Sequence, residues 1–243
     1  MTSAETVDEL RAFDLRVSQP RDGYRFSLDP LLLTDFARPF PAGPLLDLGT
    51  GCGIIPLLQA RLGAGGPLVG VEFQPELADL ARRNVAANGL AERIAIIEDD
   101  LLNLAAHFSA NSFGMVVANP PFRRRGTGRV SPRAGRDLAR HESTAGLADF
   151  LAVAKKMAVP GGRLCFVQLP ERLPELLQEA ARLRLAPTRL RLVHGDSTAP
   201  ARMVLVELVK GRQAALQVLA PLFVYGADGG HTAEMRRIYG EAG

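Results

Sequence analysis

Asp47-Leu48-Gly49-Thr50-Gly51-Cys52-Gly53 sets a carboxylate two residues ahead of three alternating glycines. Glycines at that spacing, between an apolar run and a helical pattern, let backbone N–H groups close on a ligand at the start of a helix. The pattern is D-x-G-x-G-x-G rather than the dinucleotide G-x-G-x-x-G. A carboxylate beside such a loop repels a pyrophosphate but holds an ammonium group, directly or through water. The loop therefore favours S-adenosylmethionine over NAD, with Asp47, Gly49, Gly51 and Gly53 in contact with it. Glu72 follows 19 residues after Gly53, where a strand-end carboxylate accepts both ribose hydroxyl protons. Phe73 can flank the adenine ring, and Asp99-Asp100-Leu101 offers Asp100 and Leu101 to its amine edge. Singly, each acid reads equally well as a strand-end or capping residue. Together, at three successive strand ends, they outline one nucleoside-bearing cofactor.

The fourth group is Asn119-Pro120-Pro121-Phe122. Two prolines fix φ and remove two N–H donors, leaving the Asn119 Oδ1 and the Pro120 carbonyl as acceptors in a stiff turn. Two acceptors suit a planar amine conjugated to a ring or carbonyl. Such an amine is a poor nucleophile until its N–H groups are gripped and its lone pair is drawn out of conjugation, while Phe122 supports the ring. The alkylated nitrogen is acidic enough to lose its proton afterwards, so no histidine or cysteine base is needed nearby. Asn119, Pro120 and Phe122 are the candidate catalytic residues, and Asn119 also borders the cofactor.

Elements that can place these groups together are visible in the pattern. From residue 44 onward, apolar runs alternate with helical segments, the mark of a parallel sheet built from βαβ units. Strands are expected at 44–48, 68–72, 93–97, 113–118, 163–169, 190–194 and 203–209. Helices are expected from the glycine loop to Leu62, from Pro75 to Asn88, over 144–158 and over 171–183. Only the turn-rich 195–200 separates the last two strands, so they should form an antiparallel hairpin. The expected fold is a doubly wound, mostly parallel α/β sheet of seven strands, Rossmann-like, over residues 44–243. Residues 1–43 read as a small N-terminal extension or lid: an amphipathic start, an alternating Leu15–Gln19, an extended Tyr24–Leu28, and a helix 29–37 with Asp29 as N-cap. Tyr24 and Arg25 are the candidate lid residues.

Charge is unevenly spread. Residues 1–100 carry 9 Arg against 15 Asp and Glu, whereas residues 101–243 carry 20 Arg and Lys against 11 acids. Between 123 and 140 there are seven arginines and one acid, Asp137. Arg123, Arg124, Arg125, Arg129 and Arg140 are the candidate substrate contacts, suited to the phosphates of a nucleic acid approaching the mouth of the site. The preference for Arg over Lys fits GC-rich coding, but that bias does not explain its position. The four histidines stand apart from one another and the two cysteines, Cys52 and Cys165, lie in separate apolar segments. No metal and no disulfide are expected. No uncharged apolar run is long enough to span a bilayer, and the acidic N-terminus lacks the pattern of a signal peptide, so a cytoplasmic location follows.

DLGTGCG, VEFQPE, EDDL and NPPF resemble the class I S-adenosylmethionine-dependent methyltransferases that act on amines. More narrowly, YRFSLDPLLL, SPRAGRDLARHES, RLRLVHGDSTAPARMVLVEL and YGADGGHTAEMRRIYG resemble the bacterial valine-tRNA adenine-N6 methyltransferases, across nearly the whole chain. The resemblance implies methylation of an exocyclic amine, adenine N6 in tRNA, with the base flipped out. Guanine-N2 methylation of rRNA, glutamine methylation of a protein, and a non-catalytic RNA-binding module are the competing readings. Two residues depart from the family: Gly114 stands where an acid is usual, and Phe122 where tyrosine is common.

Overall fold

The computed structural model describes residues 5–21, 27–120 and 145–241. The chain opens with β1 (Glu5–Leu10) and β2 (Leu15–Pro20), an antiparallel hairpin, and α1 (Asp29–Phe36). There follow β3 (Leu45–Leu48), α2 (Ile54–Arg61), β4 (Leu68–Glu72), α3 (Pro75–Ala87), β5 (Ile94–Glu98) and β6 (Phe113–Ala118). After these come α4 (Leu147–Met157), β7 (Ala158–Gln168), α5 (Leu173–Arg182), β8 (Leu185–His194), β9 (Ala201–Lys210), β10 (Gln217–Val218), β11 (Leu222–Phe223) and α6 (Ala233–Ile238).

The large sheet runs β10-β8-β9-β7-β6-β3-β4-β5, with β11 also on β8. β5, β4, β3, β6 and β7 are parallel neighbours, and β9 enters antiparallel between β7 and β8. The expected parallel sheet with a closing hairpin is thus present. Among the described residues it has nine strands rather than seven, because β10 and β11 are two-residue strands, too short to leave an alternating pattern. β3 and β4 are buried at every position, as strands covered on both faces must be. Two apolar cores result. One lies under α1, α2, α3 and α6 and includes Phe13, Leu15 and Val17 of the hairpin region; the other lies under α4 and α5.

Two local expectations need correction. Asp29 is the first residue of α1, not its cap: Leu28 holds the cap position, and the Asp29 carboxylate accepts from the Ser27 hydroxyl. The amphipathic start takes the form of strand β1, whose alternating burial suits pairing with β2. β8 begins at Leu185, five residues before the expected Leu190, with an irregularity between Pro187 and Arg189 that breaks the period. Pro160-Gly161-Gly162 lies inside β7, where the register with β6 jumps from Ala158 to Arg163.

Candidate active site

Parallel strands deliver their carboxyl ends to one edge, where ligands of such sheets are held. Leu48 of β3 pairs with Ala118 of β6, so Gly49 and Asn119 leave the sheet side by side. Glu72 and Glu98 are paired at the ends of β4 and β5, and the chain passes directly from them to Phe73 and to Asp99-Asp100. The sequence-predicted residues at 47–53, 72–73, 100–101 and 119–120 therefore share one edge.

The glycine loop is a tight backbone structure. Gly49, Gly51 and Gly53 have φ of 74°, 57° and 84°, left-handed values that only glycine adopts without strain. Gly49 and Thr50 both donate to the Val71 carbonyl at 2.9 Å, and Gly53 donates to Thr50 at 2.9 Å. A Cβ on Gly49 would meet the Phe150 ring at 3.6 Å, and one on Gly70 would come within 2.8 Å of the Thr50 side chain. Phe150, buried in α4, floors the loop. It was not legible in the sequence because it lies about a hundred residues away from the loop on an ordinary amphipathic helix.

Asp47 is buried, and neither of its carboxylate oxygens has a hydrogen-bond partner. Burial pushes its pKa up to about 7; the nearby Thr50 hydroxyl offsets part of the rise without reaching hydrogen-bond geometry, and the charge of Glu72 adds to it. An orphaned carboxyl beside a left-handed glycine loop fits a cationic group. Glu72 is differently employed. Its Oε2 accepts from Gly51 N at 2.8 Å and its Oε1 from Gln74 N at 2.9 Å, tying the glycine loop to the turn after β4. Burial raises its pKa, and those two N–H groups hold the rise back. Each oxygen retains a further lone pair for a hydroxyl donor. Phe73 beside it is half-buried.

At the end of β5 the two aspartates divide their roles. Asp99 accepts from Asp100 N, from the Asn103 amide and from His107 Nε2, and the Asn103 and His107 contacts lower its pKa. Asp100 caps the 3-10 turn after it, its Oδ1 accepting from Leu102 N, and Leu101 is buried. Asn119 is half-buried and Pro120 buried at the end of β6. Tyr24, Arg25, Phe122, Arg123, Arg124, Arg125, Arg129 and Arg140 lie outside the described residues.

Asn84 also bears on the site. Buried on α3, it donates to the Cys52 carbonyl in the glycine loop and to Ser18 O, both at 2.9 Å, and accepts from Ser18 N at 2.8 Å. A polar residue among the apolar positions of a helix was its only signal. The Cys52 and Cys165 thiols are pushed up to about 12 by burial. Among the described residues, no group of three or more His, Cys, Asp or Glu is placed to hold a metal ion.

Residues 29–180 match the methyltransferase small domain. The chain belongs to that methyltransferase family. A protein of Porphyromonas gingivalis named tRNA1(Val) (adenine(37)-N6)-methyltransferase is 34% identical over 190 residues, 76% of this chain and 73% of its own length. One of the same name from Salmonella arizonae is 30% identical over 192 residues, 78% of this chain and 77% of its own length. The fold is shared with the crystal structure of a predicted O-methyltransferase from Agrobacterium tumefaciens, at a TM-score of 0.72 and 23% identity over 88% of this chain and 97% of that one. The chain is an S-adenosylmethionine-dependent N-methyltransferase, and the methyltransferase carries its glycine loop, acids and Asn119 on a single sheet edge. None of its described helices is long and apolar enough to cross a membrane.

Proposed function

We propose that the methyltransferase transfers a methyl group to N6 of an adenine in tRNA. The observation that carries this is the register of β3 and β6, which sets the glycine loop and Asn119-Pro120 side by side at one level; the relatives named above supply the substrate class. S-adenosylmethionine supplies an electrophilic methyl group when bound. The orphaned Asp47 carboxyl takes its ammonium, the remaining lone pairs of Glu72 take the ribose hydroxyls, and Asp100 takes the adenine amine with Phe73 and Leu101 along the ring. Asn119 Oδ1 and the Pro120 carbonyl accept the two N–H bonds of the target amine, and Phe122 supports its ring. Arg123, Arg124, Arg125, Arg129 and Arg140 hold phosphates of the tRNA, with Tyr24 and Arg25 over the cofactor.

The reading is tested by incubating the protein with labelled cofactor and total RNA and digesting the product to nucleosides. N6-methyladenosine from the tRNA fraction is expected. N2-methylguanosine, or label in protein, would replace this reading with another amine; cofactor binding without transfer would leave only a binding module.

A further inference from the structure

Gln168 ends β7 at the same sheet edge, and it is fully buried. Neither its Oε1 nor its Nε2 has a hydrogen-bond partner. Four residues on, Arg172 is held by Glu175 through Nη2 at 2.7 Å, while its Nε is also buried without a partner. Buried polar groups of folded chains are nearly always paired, so orphans at one strand end point to a ligand that pairs them. Their place is informative. Ala118 of β6 pairs with Phe166 of β7, and both side chains enter the core under α4 and α5. Gln168 follows Phe166 by two residues on β7 and so lies on that same face by the alternation of strands, while the neighbouring β6 ends at Ala118 and the chain passes directly to Asn119 and Pro120.

We propose that Gln168 is a specificity-determining residue that reads the target base: its Nε2 donates to a ring nitrogen of adenine while Asn119 and Pro120 hold N6. The inference rests on the adenine-N6 reading above. Adenine places a ring-nitrogen acceptor beside its amine on both exposed edges, N1 on one and N7 on the other, and glutamine presents a donor beside an acceptor. Pairing the amide with a base breaks no existing hydrogen bond, because the side chain makes none. An apolar residue here would offer no hydrogen bond by which to prefer one base.

The test compares wild type with Gln168→Leu on tRNA transcripts carrying adenosine, 1-deazaadenosine or 7-deazaadenosine at the position the wild type methylates. Gln168→Leu should lower kcat/KM on adenosine about 10- to 100-fold, as expected when a site group that recognises the substrate is removed, with cofactor affinity unchanged. One deaza substrate should be slower with wild type and show no further loss with Gln168→Leu, since a contact already removed cannot be lost twice. Penalties that multiply for both deaza substrates, or a wild-type rate in Gln168→Leu, overturn the proposal. Gln168→Met, closer in length and shape, carries the same comparison if the leucine variant does not fold. A wild-type product other than N6-methyladenosine overturns the adenine reading itself, a failure visible before any variant is made.

Discussion

Asp47 carries a carboxyl that folding buries without a hydrogen-bond partner. Its pKa is pushed from 3.8 up to about 7, foremost by burial. The folded chain therefore holds this proton more tightly than the unfolded chain does. Stability is fully present below the unfolded value and is lost as pH rises through about 4 to 7, then levels off. Asp47→Asn cannot ionise, so the cofactor-free variant should gain stability relative to wild type across that window. Thermal unfolding between pH 4 and 8 checks this, and parallel curves would show that the carboxyl is not held neutral. The same variant should bind S-adenosylmethionine more weakly, because the ammonium loses its counter-charge. Asn119 answers to the other half of the site. Asn119→Ala should lower transfer by about 100-fold or more, the scale of losing one oriented polar contact to the reacting group, while titration shows cofactor binding intact. A near-normal rate would remove the two-acceptor grip from the mechanism.

Among elements, the tie between α3 and β2 shows how a helix can finish a strand. Asn88 accepts from Arg16 N at 2.9 Å and donates to Arg16 O at 2.8 Å, as Asn84 does with Ser18. Four helical residues rise about 6 Å, and two strand residues advance about 6.8 Å. Two amides one turn apart thus match alternate residues on the strand edge that β1 leaves open. Asn84→Leu should cost about 1–3 kcal/mol, the penalty of unpairing buried backbone groups, and should speed amide exchange at Ser18 and in the glycine loop. Unchanged protection at both would show that the tie carries no load. The Asn-Val-x-x-Asn spacing was visible in the sequence, but nothing local named its partner 66 residues away. Gly114, the departure from the family's usual acid, donates from its N–H to the Pro44 carbonyl, and a Cβ there would meet Pro41 at 3.3 Å. β6 nevertheless lies in place between β3 and β7.

Across the whole molecule, charge is used in two ways. Glu207 is buried on β9, where burial would raise its pKa, but Arg189, Thr188 and Arg163 outweigh that and hold it low. Arg163 continues to the Pro39 carbonyl at 2.6 Å, and Arg189 reaches the Phe36 carbonyl at 2.8 Å and lies 4.6 Å over the Phe36 ring. This cluster fastens the end of α1 to the sheet. Glu207→Ala should destabilise by about 3 kcal/mol, the scale of stranding one side of a buried ion pair, as read by denaturant unfolding. The arginines at 123–140 are proposed to meet the phosphates of tRNA. Replacing Arg123, Arg124 and Arg125 with Ala should flatten the dependence of tRNA affinity on salt by about 2 to 3 in a double-logarithmic slope; an unchanged slope would remove them from the interface.

The sequence by itself determined what depends on short-range pattern. The βαβ alternation, the D-x-G-x-G-x-G loop, the acids at successive strand ends and Asn119-Pro120 were all readable, because strand periodicity and turn chemistry act over a few residues. The tertiary structure alone decided which distant groups meet: Phe150 beneath Gly49, Asn84 between Ser18 and Cys52, Glu72 taken up by Gly51 and Gln74, and the end of β7 beside the end of β6. Those meetings follow from strand order and register. These are set by burying two cores at once, a constraint on the whole chain that no local segment records.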